Sequence, residues 1–181
     1  AVILNTDHYS VGGLADPGRT RTVRVRGSDA VFDPLTGHWS LDVPLNPGMN
    51  RLEIEGFDAA GQRTTNWFYN VWREVAAGLT TGGTLAADTV WKASQSPIVV
   101  ASDLVIPAGR TLTIEPGTTV SFASKKGITV QGRLVAEGTP TRRIYIGVSP
   151  VFNASWRGIS FVDSTKENRL VQVDLGQPSP T

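Results

Sequence analysis

Residues 104–122 read LVIPAGRTLTIEPGTTVSF, and this stretch decides how the second half of the chain folds. It contains three short apolar segments, at 104–106, 112–114 and 120–122, which are separated by corners containing Pro and Gly. Segments of three or four residues are short for a β-sandwich, but they suit a coil that turns every few residues and stacks on the next coil. The stretch therefore predicts a parallel β-helix.

Outward from this stretch, apolar segments recur at the spacing of a solenoid. Leu104, Ile128 and Ile159 begin corresponding segments and lie 24 and 31 residues apart, and the longer interval includes residues 148–157, which predict a projecting loop. A period of roughly 20 to 25 residues suits a right-handed parallel β-helix. Because a single coil cannot bury its apolar face, each coil must be covered by the next.

The first half of the chain predicts a small β-sandwich. Residues 23–26 and 39–43 alternate apolar and polar side chains, and turn signals rich in Gly, Pro and Asp separate the segments. Short alternating strands at regular spacing are typical of an all-β sandwich with one wet face on each strand. We therefore expect an all-β protein made of a β-sandwich followed by a short parallel β-helix.

Motifs in both halves carry family resemblances. VRG at 25–27, TGHWS at 36–40, PGMN at 47–50 and FDAAG at 57–61 occur in the order found in bacterial Ig-like modules, so residues 15–65 resemble that family. This resemblance implies a spacer or adhesive role and carries over no catalytic residues.

The second resemblance spans residues 90–175, which are similar to the first coils of the β-helix regions of large secreted bacterial proteins. It rests on VIPAGRTLTIEPG at 105–117, GITV at 127–130, GRLVAEGT at 132–139 and WRGISF at 156–161. The order of an Ig-like module and such coils resembles surface proteins of environmental bacteria such as planctomycetes, in which lamin-tail and spore-coat-kinase-like domains accompany it. The resemblance implies a secreted or cell-surface location.

The domain boundary is expected between residues 75 and 90. Residues 74–88 are rich in small residues, Gly and Thr, and they show no strong strand or helix pattern. Such composition is typical of a boundary, and its shortness favours a rigid elbow. The expected organisation is an Ig-like β-sandwich at 1–74, a linker at 75–90 and parallel β-helix coils at 91–181.

The last predicted strand of the first half contains four aromatic residues. Alternation places Trp67 and Tyr69 on one face and Phe68 and Trp72 on the other. One face packs on the sandwich core, and the other is expected to contact a sugar or the second domain. Trp67, Tyr69 and Trp72 are therefore the candidate binding residues.

The coils end without a recognisable C-terminal cap. About three repeats are marginal for a solenoid, and an uncapped end leaves strand edges that pair with other chains. The expected partner is another copy of the chain stacked end to end, or a continuation beyond Thr181. The residues of this assembly edge are Leu170, Val171, Val173 and Leu175.

Composition excludes several classes of function. The net charge of +1 comes from 17 basic and 16 acidic residues without long runs of either sign, so no nucleic-acid or anionic-membrane partner is predicted. The chain has no cysteine, which excludes disulfides and thiolate chemistry. No stretch reaches the roughly 20 apolar residues of a membrane span. The chain begins without Met or a signal-peptide pattern, so we expect a processed form or a fragment.

Catalysis and cofactor binding are not predicted. Polysaccharide lyases and glycosidases built on β-helices place carboxylates, or Ca²⁺-binding Asp residues with a base, along the outer face, and no such acidic ladders occur here. His8 and His38 lack metal or triad spacing. Asp33 and Asp58 precede turns, where Asp is ordinary, so a Ca²⁺ site has no support. Residues 153–155 satisfy the N-glycosylation acceptor pattern.

These features predict a non-catalytic extracellular segment with a structural or adhesive role, which stacks end to end into a filament. The alternative is an ancillary carbohydrate-binding part of a polysaccharide-active enzyme, with Trp67 and Tyr69 as its sugar platform.

Overall fold

The computed structural model describes residues 2–151 and 155–176. Asn153, which begins the glycosylation acceptor pattern, lies outside these residues. Within them all regular secondary structure is β-strand apart from one 3₁₀ helix at Ala93–Gln95, so the predicted all-β class is confirmed. No helix in these two ranges is long and apolar enough to cross a bilayer. The chain divides into two compact units, Ala1–Glu74 and Val75–Thr181.

The first unit is built from two sheets. Its strands are β1 (Val2–Leu4), β2 (His8–Leu14), β3 (Thr22–Val25), β4 (Ser28–Asp29), β5 (Val31–Phe32), β6 (His38–Pro44), β7 (Gly48–Phe57) and β8 (Arg63–Arg73). One sheet has the order β1-β8-β7-β3-β4 and the other the order β2-β6-β5. All neighbouring strands are antiparallel except β1, which pairs in parallel with the end of β8.

Inward and outward side chains alternate along these strands, and the inward ones form a core shared by the two sheets. Val25, Leu52 and Val71 come from the five-stranded sheet, while Val11 and Val43 come from the three-stranded sheet. All five are buried, because successive strand residues point to opposite faces and the apolar set of each sheet faces the other sheet.

The second unit consists of short parallel strands. They are β9 (Leu79–Thr84), β10 (Thr89–Trp91), β11 (Ile98–Ile106), β12 (Thr111–Ile114), β13 (Thr119–Phe122), β14 (Gly127–Val130), β15 (Arg133–Glu137), β16 (Ile144–Gly147), β17 (Gly158–Phe161), β18 (Arg169–Val171) and β19 (Val173–Leu175). One sheet has the order β10-β12-β15-β18. The other has the order β17-β14-β11-β13-β16-β19, with β9 also paired to β11.

The pairing register repeats the apolar spacing of the sequence. Leu104 pairs with Ile128, and Ile128 pairs with Ile159, so the 24- and 31-residue intervals each correspond to one step of the stack. The inward side chains form a continuous core along the stack, from Trp91 and Ile98 to Ile144 and Ile146. The corners need small residues: a Cβ on Gly132 would collide with the carbonyl oxygens of Arg110 and Pro107.

The predicted linker at 75–90 is wrong for part of its length. Residues 79–84 form β9, which pairs in parallel with β11, and the Leu85 amide donates to the Val105 carbonyl oxygen at 3.0 Å. The sequence of this stretch predicts a linker because it is rich in small residues and contains Gly82 and Gly83. Both glycines have positive φ, and Gly82 lies directly against Ser102. Gly82 therefore allows close packing within the second unit, whereas Gly83 supplies a positive φ.

Candidate functional site

The outermost part of the stack, formed by β17, β18 and β19, is named here the outer coil. Its inward positions continue ladders that are fully buried one step below. The ladders run Ile106–Val130–Phe161, Ile114–Ala136–Leu170 and Val120–Ile146–Leu175. The outer coil therefore presents the same kind of side chain at the same positions as the coils beneath it.

The exposed fraction of the inward side chains increases abruptly at the outer coil. Val130, Ala136 and Ile146 are each 0% exposed, whereas their partners Phe161, Leu170 and Leu175 are 46%, 40% and 55% exposed. Val173 and Ile159 are half-buried and pack against the core. Among the described residues no strand pairs with the far side of β17, β18 or β19. The outer coil is thus an uncovered apolar surface bordered by free strand edges.

Of the four residues predicted for the assembly edge, three have inward side chains. Leu170, Val173 and Leu175 pair with the inward residues Ala136, Ile144 and Ile146. Val171 is different, because it pairs with Glu137 on the outer face. Sequence reasoning missed Phe161 and Ile159, although the 31-residue step from Val130 to Phe161 would have identified the position of Phe161.

The outer coil is held in place without a covering coil. Arg143 makes a bidentate ion pair with Asp174, with Nη2 and Nε 2.7 and 2.8 Å from its two carboxylate oxygens. Arg169 Nε lies 2.6 Å from Glu137 Oε1. The Leu134 amide donates to Asn168 Oδ1 at 2.7 Å. These contacts join the outer coil to the coil beneath it.

Tyr145 lies under the outer coil. Its hydroxyl donates to the Val148 carbonyl oxygen at 2.8 Å. Burial, followed by the nearby negative charge of Asp174, raises the pKa of Tyr145. The phenol therefore stays protonated and acts as a hydrogen-bond donor.

The predicted aromatic platform in the first unit is not assembled as one surface. Trp67 is 69% exposed, but Trp72 is only 3% exposed and so cannot present its ring to a ligand. Tyr69 is half-buried and stacks on Tyr9, with ring centroids 6.1 Å apart. Alternation predicted the face of each side chain correctly, but it could not indicate what covers each one.

Trp67 instead borders a cleft of about 400 Å³ between the two sheets of the first unit. It lies on the inward face of β8 beside Ile54, and Trp39 faces it from the three-stranded sheet. The cleft also has a polar side formed by the turn at residues 16–20, which contributes Asp16 and Arg19. We name this feature the interlayer cleft. Its polar residues carry no catalytic motif, and sequence reasoning did not identify them.

The acidic turn residues have structural roles. Asp33 accepts hydrogen bonds from the Thr36 hydroxyl and the Leu35 amide, which lower its pKa. Asp58 accepts from the Ala60 and Gln62 amides at 2.9 and 2.8 Å. Across residues 2–151 and 155–176, no group of three or more His, Cys, Asp or Glu residues is placed to hold a metal ion. His8 Nδ1 lies 3.1 Å from Oδ1 of its neighbour Asp7.

Comparisons with known proteins identify one similar segment. No family model matches the chain, and no solved structure matches it. Over 65 residues, which make up 36% of this chain, it is 43% identical to Protein bark beetle of Drosophila melanogaster. The matched segment is 2% of that protein, which is therefore far longer than this chain. The chain is thus similar to a small segment of a large protein.

Proposed function

We propose that this chain is a non-catalytic structural segment of an extracellular protein. Its first unit is an Ig-like β-sandwich, and its second unit is a right-handed parallel β-helix extended at the outer coil by a further coil of the same kind. In a solution of the isolated chain, a second copy supplies this further coil. The observation that carries the proposal is the sudden exposure of Phe161, Leu170 and Leu175 above fully buried partners.

Apolar burial supplies the driving force for extension. Fully burying one large apolar side chain contributes roughly 1.5–3 kcal/mol relative to leaving it in water. Three such side chains are about half exposed on one surface, and free strand edges border them. A further coil would bury these side chains and satisfy the edges by continuing the parallel ladders. Because the outer coil is already held by ion pairs, little ordering would oppose the association.

The charged residues on the outside of the stack support a structural role. Arg143 with Asp174 and Arg169 with Glu137 are ion pairs that join neighbouring coils, and Arg157 with Asp103 is an ion pair that joins coils two steps apart. Burial tends to raise the pKa of Asp103, but the Gly127 amide and the Arg157 guanidinium outweigh it and lower the pKa. A carboxylate that stays ionised in this way suits an ion pair and not a general acid.

Self-association of residues 1–181 tests this proposal. Sedimentation equilibrium is expected to show a reversible increase in mass with concentration. Leu170→Lys is expected to weaken association by roughly tenfold or more, because it places a charge on the apolar surface. The matched control is Val171→Lys, since Val171 is equally exposed at 41% but points outward beside Glu137. A wild-type monomer at the highest soluble concentration, or equal weakening by both variants, would contradict the proposal.

The location is tested separately. In the source cells, an antibody to the first unit is expected to label intact cells or the culture medium. Labelling only after permeabilisation would contradict an extracellular role.

A further inference from the structure

The interlayer cleft has an aromatic side and a polar side. Trp67 is the most exposed aromatic residue on its aromatic side, although it occupies an inward position of β8. The same face further along β8 carries Tyr69 and Val71, which are covered by the opposite sheet. The sheets therefore separate at this end, leaving the indole of Trp67 at the mouth of a cavity.

The polar side is a turn held rigidly by its own hydrogen bonds. Asp16 accepts from the amide of Gly18 through Oδ1 at 2.8 Å, and its carbonyl oxygen accepts from the amides of Arg19 and Thr20 at 3.2 and 2.8 Å. The Ala15 amide donates to the Gly37 carbonyl oxygen at 2.9 Å. A recognition surface fixed before binding loses little conformational entropy when a ligand arrives.

Gly56 lines the cleft, and its lack of a side chain leaves room there. A Cβ at this position would approach the hydroxyl of Thr64 at 3.3 Å. The resulting volume of about 400 Å³ is within the range of small-molecule sites.

From this arrangement we propose that the interlayer cleft binds one pyranose unit of a neutral polysaccharide. The apolar C–H face of the sugar packs on the ring of Trp67. One sugar hydroxyl donates a hydrogen bond to the carboxylate of Asp16. An adjacent hydroxyl accepts a hydrogen bond from the guanidinium of Arg19. Each hydroxyl both donates and accepts a hydrogen bond, so a carboxylate and a guanidinium that line the same cleft match a pair of hydroxyls. Opposite charges on these two residues favour a neutral sugar over an acidic one.

This site lies entirely in the first unit and does not depend on the outer coil. Failure of sugar binding would therefore leave the self-association result unaffected, and the converse also holds.

The test is calorimetric titration of the purified chain with cellohexaose, xylohexaose, mannohexaose and maltohexaose. We expect at least one to bind, and Trp67→Ala and Arg19→Gln each to weaken that binding by roughly tenfold or more. The matched control is Phe68→Ala, which removes an exposed aromatic ring from the opposite face of the same strand. It is expected to leave the affinity within about twofold.

Three results would overturn the proposal. They are the absence of binding to all four sugars at millimolar concentration, binding that Trp67→Ala leaves unchanged, and a preference for a hexuronate oligosaccharide over all four neutral ones. Thermal unfolding of each variant establishes that it is folded. Because Trp67 and Arg19 are both exposed, their replacement removes little packing.

Discussion

Asp103 shows how single side chains hold the corners of the stack. Its Oδ1 accepts a hydrogen bond from the Gly127 amide at 3.1 Å and lies 2.6 Å from Arg157 Nη2. These two residues belong to the next two steps along the chain, so one carboxylate joins three segments that are distant in sequence. Such a contact fixes the geometry of the corner more than it adds stability, because the ion pair is partly exposed to water.

The acid dependence of Asp103→Asn tests this role. Burial opposes ionisation of Asp103, but the Gly127 amide and the Arg157 guanidinium hold its folded-state pKa below its ordinary value. The charge therefore stabilises the fold above the pKa of the unfolded chain, and this contribution is lost as pH falls through the folded-state pKa. Asn retains an oxygen acceptor for the Gly127 amide, so the variant removes mainly the charge. We expect it to lower the free energy of unfolding by about 0.2–1 kcal/mol near neutral pH.

Urea unfolding at neutral pH and at about pH 2.5 measures this difference. The destabilisation is expected to be smaller at the lower pH, because the contribution of the charge is lost as the wild-type carboxylate becomes protonated. Arg157→Gln serves as the control, because it removes the partner charge and should show the same acid dependence. A destabilisation of equal size at both pH values would contradict the account.

The burial of Trp72 could not be predicted from the sequence. Alternation along β8 assigns it correctly to the face opposite Trp67 and Tyr69. It does not reveal that Trp72 is buried while Trp67, at an inward position, is exposed. Burial depends on what lies across the sheet, and the residues bordering the interlayer cleft are far apart in sequence, as Asp16, Trp39 and Trp67 illustrate.

Among the elements, regular apolar spacing was enough to predict the register of the central strands. Leu104 and Ile128 pair as their spacing predicts, because a one-residue slip would turn apolar side chains into water. The sequence did not predict β9, because its inward positions include Thr81 and Gly83, which are not strongly apolar. A strand with a weak apolar pattern is recognised only from the neighbour with which it pairs, here β11.

Equivalent substitutions along one ladder test the stacking energetics. Ile146 is fully buried, and its ladder partner Leu175 is 55% exposed. In dilute protein, Ile146→Ala is expected to lower the free energy of unfolding by about 2–5 kcal/mol. Leu175→Ala should cost less than about 1 kcal/mol, because less buried surface is lost. Chemical denaturation of both variants measures the contrast, and equal costs would show that Leu175 is already covered in the isolated chain.

For the whole molecule, we propose one role for each unit. The second unit presents the outer coil for extension, and the first unit contains the interlayer cleft as a binding site. The sequence alone predicted the all-β class and the apolar positions Leu170, Val173 and Leu175 of the outer coil, because these depend on local apolar patterns. It could not predict the cleft, which exists only where the two sheets of the first unit separate.

Hydrogen–deuterium exchange at low and high protein concentration tests the central claim most directly. If another coil covers the outer coil, alternate amides in residues 169–175, which face away from β15 and β16, gain hydrogen-bond partners. We predict that their exchange slows by roughly tenfold or more at high concentration, while amides of the edge strand β2 are unchanged. Identical exchange of residues 169–175 at both concentrations, or protection gained only elsewhere, would contradict the claim.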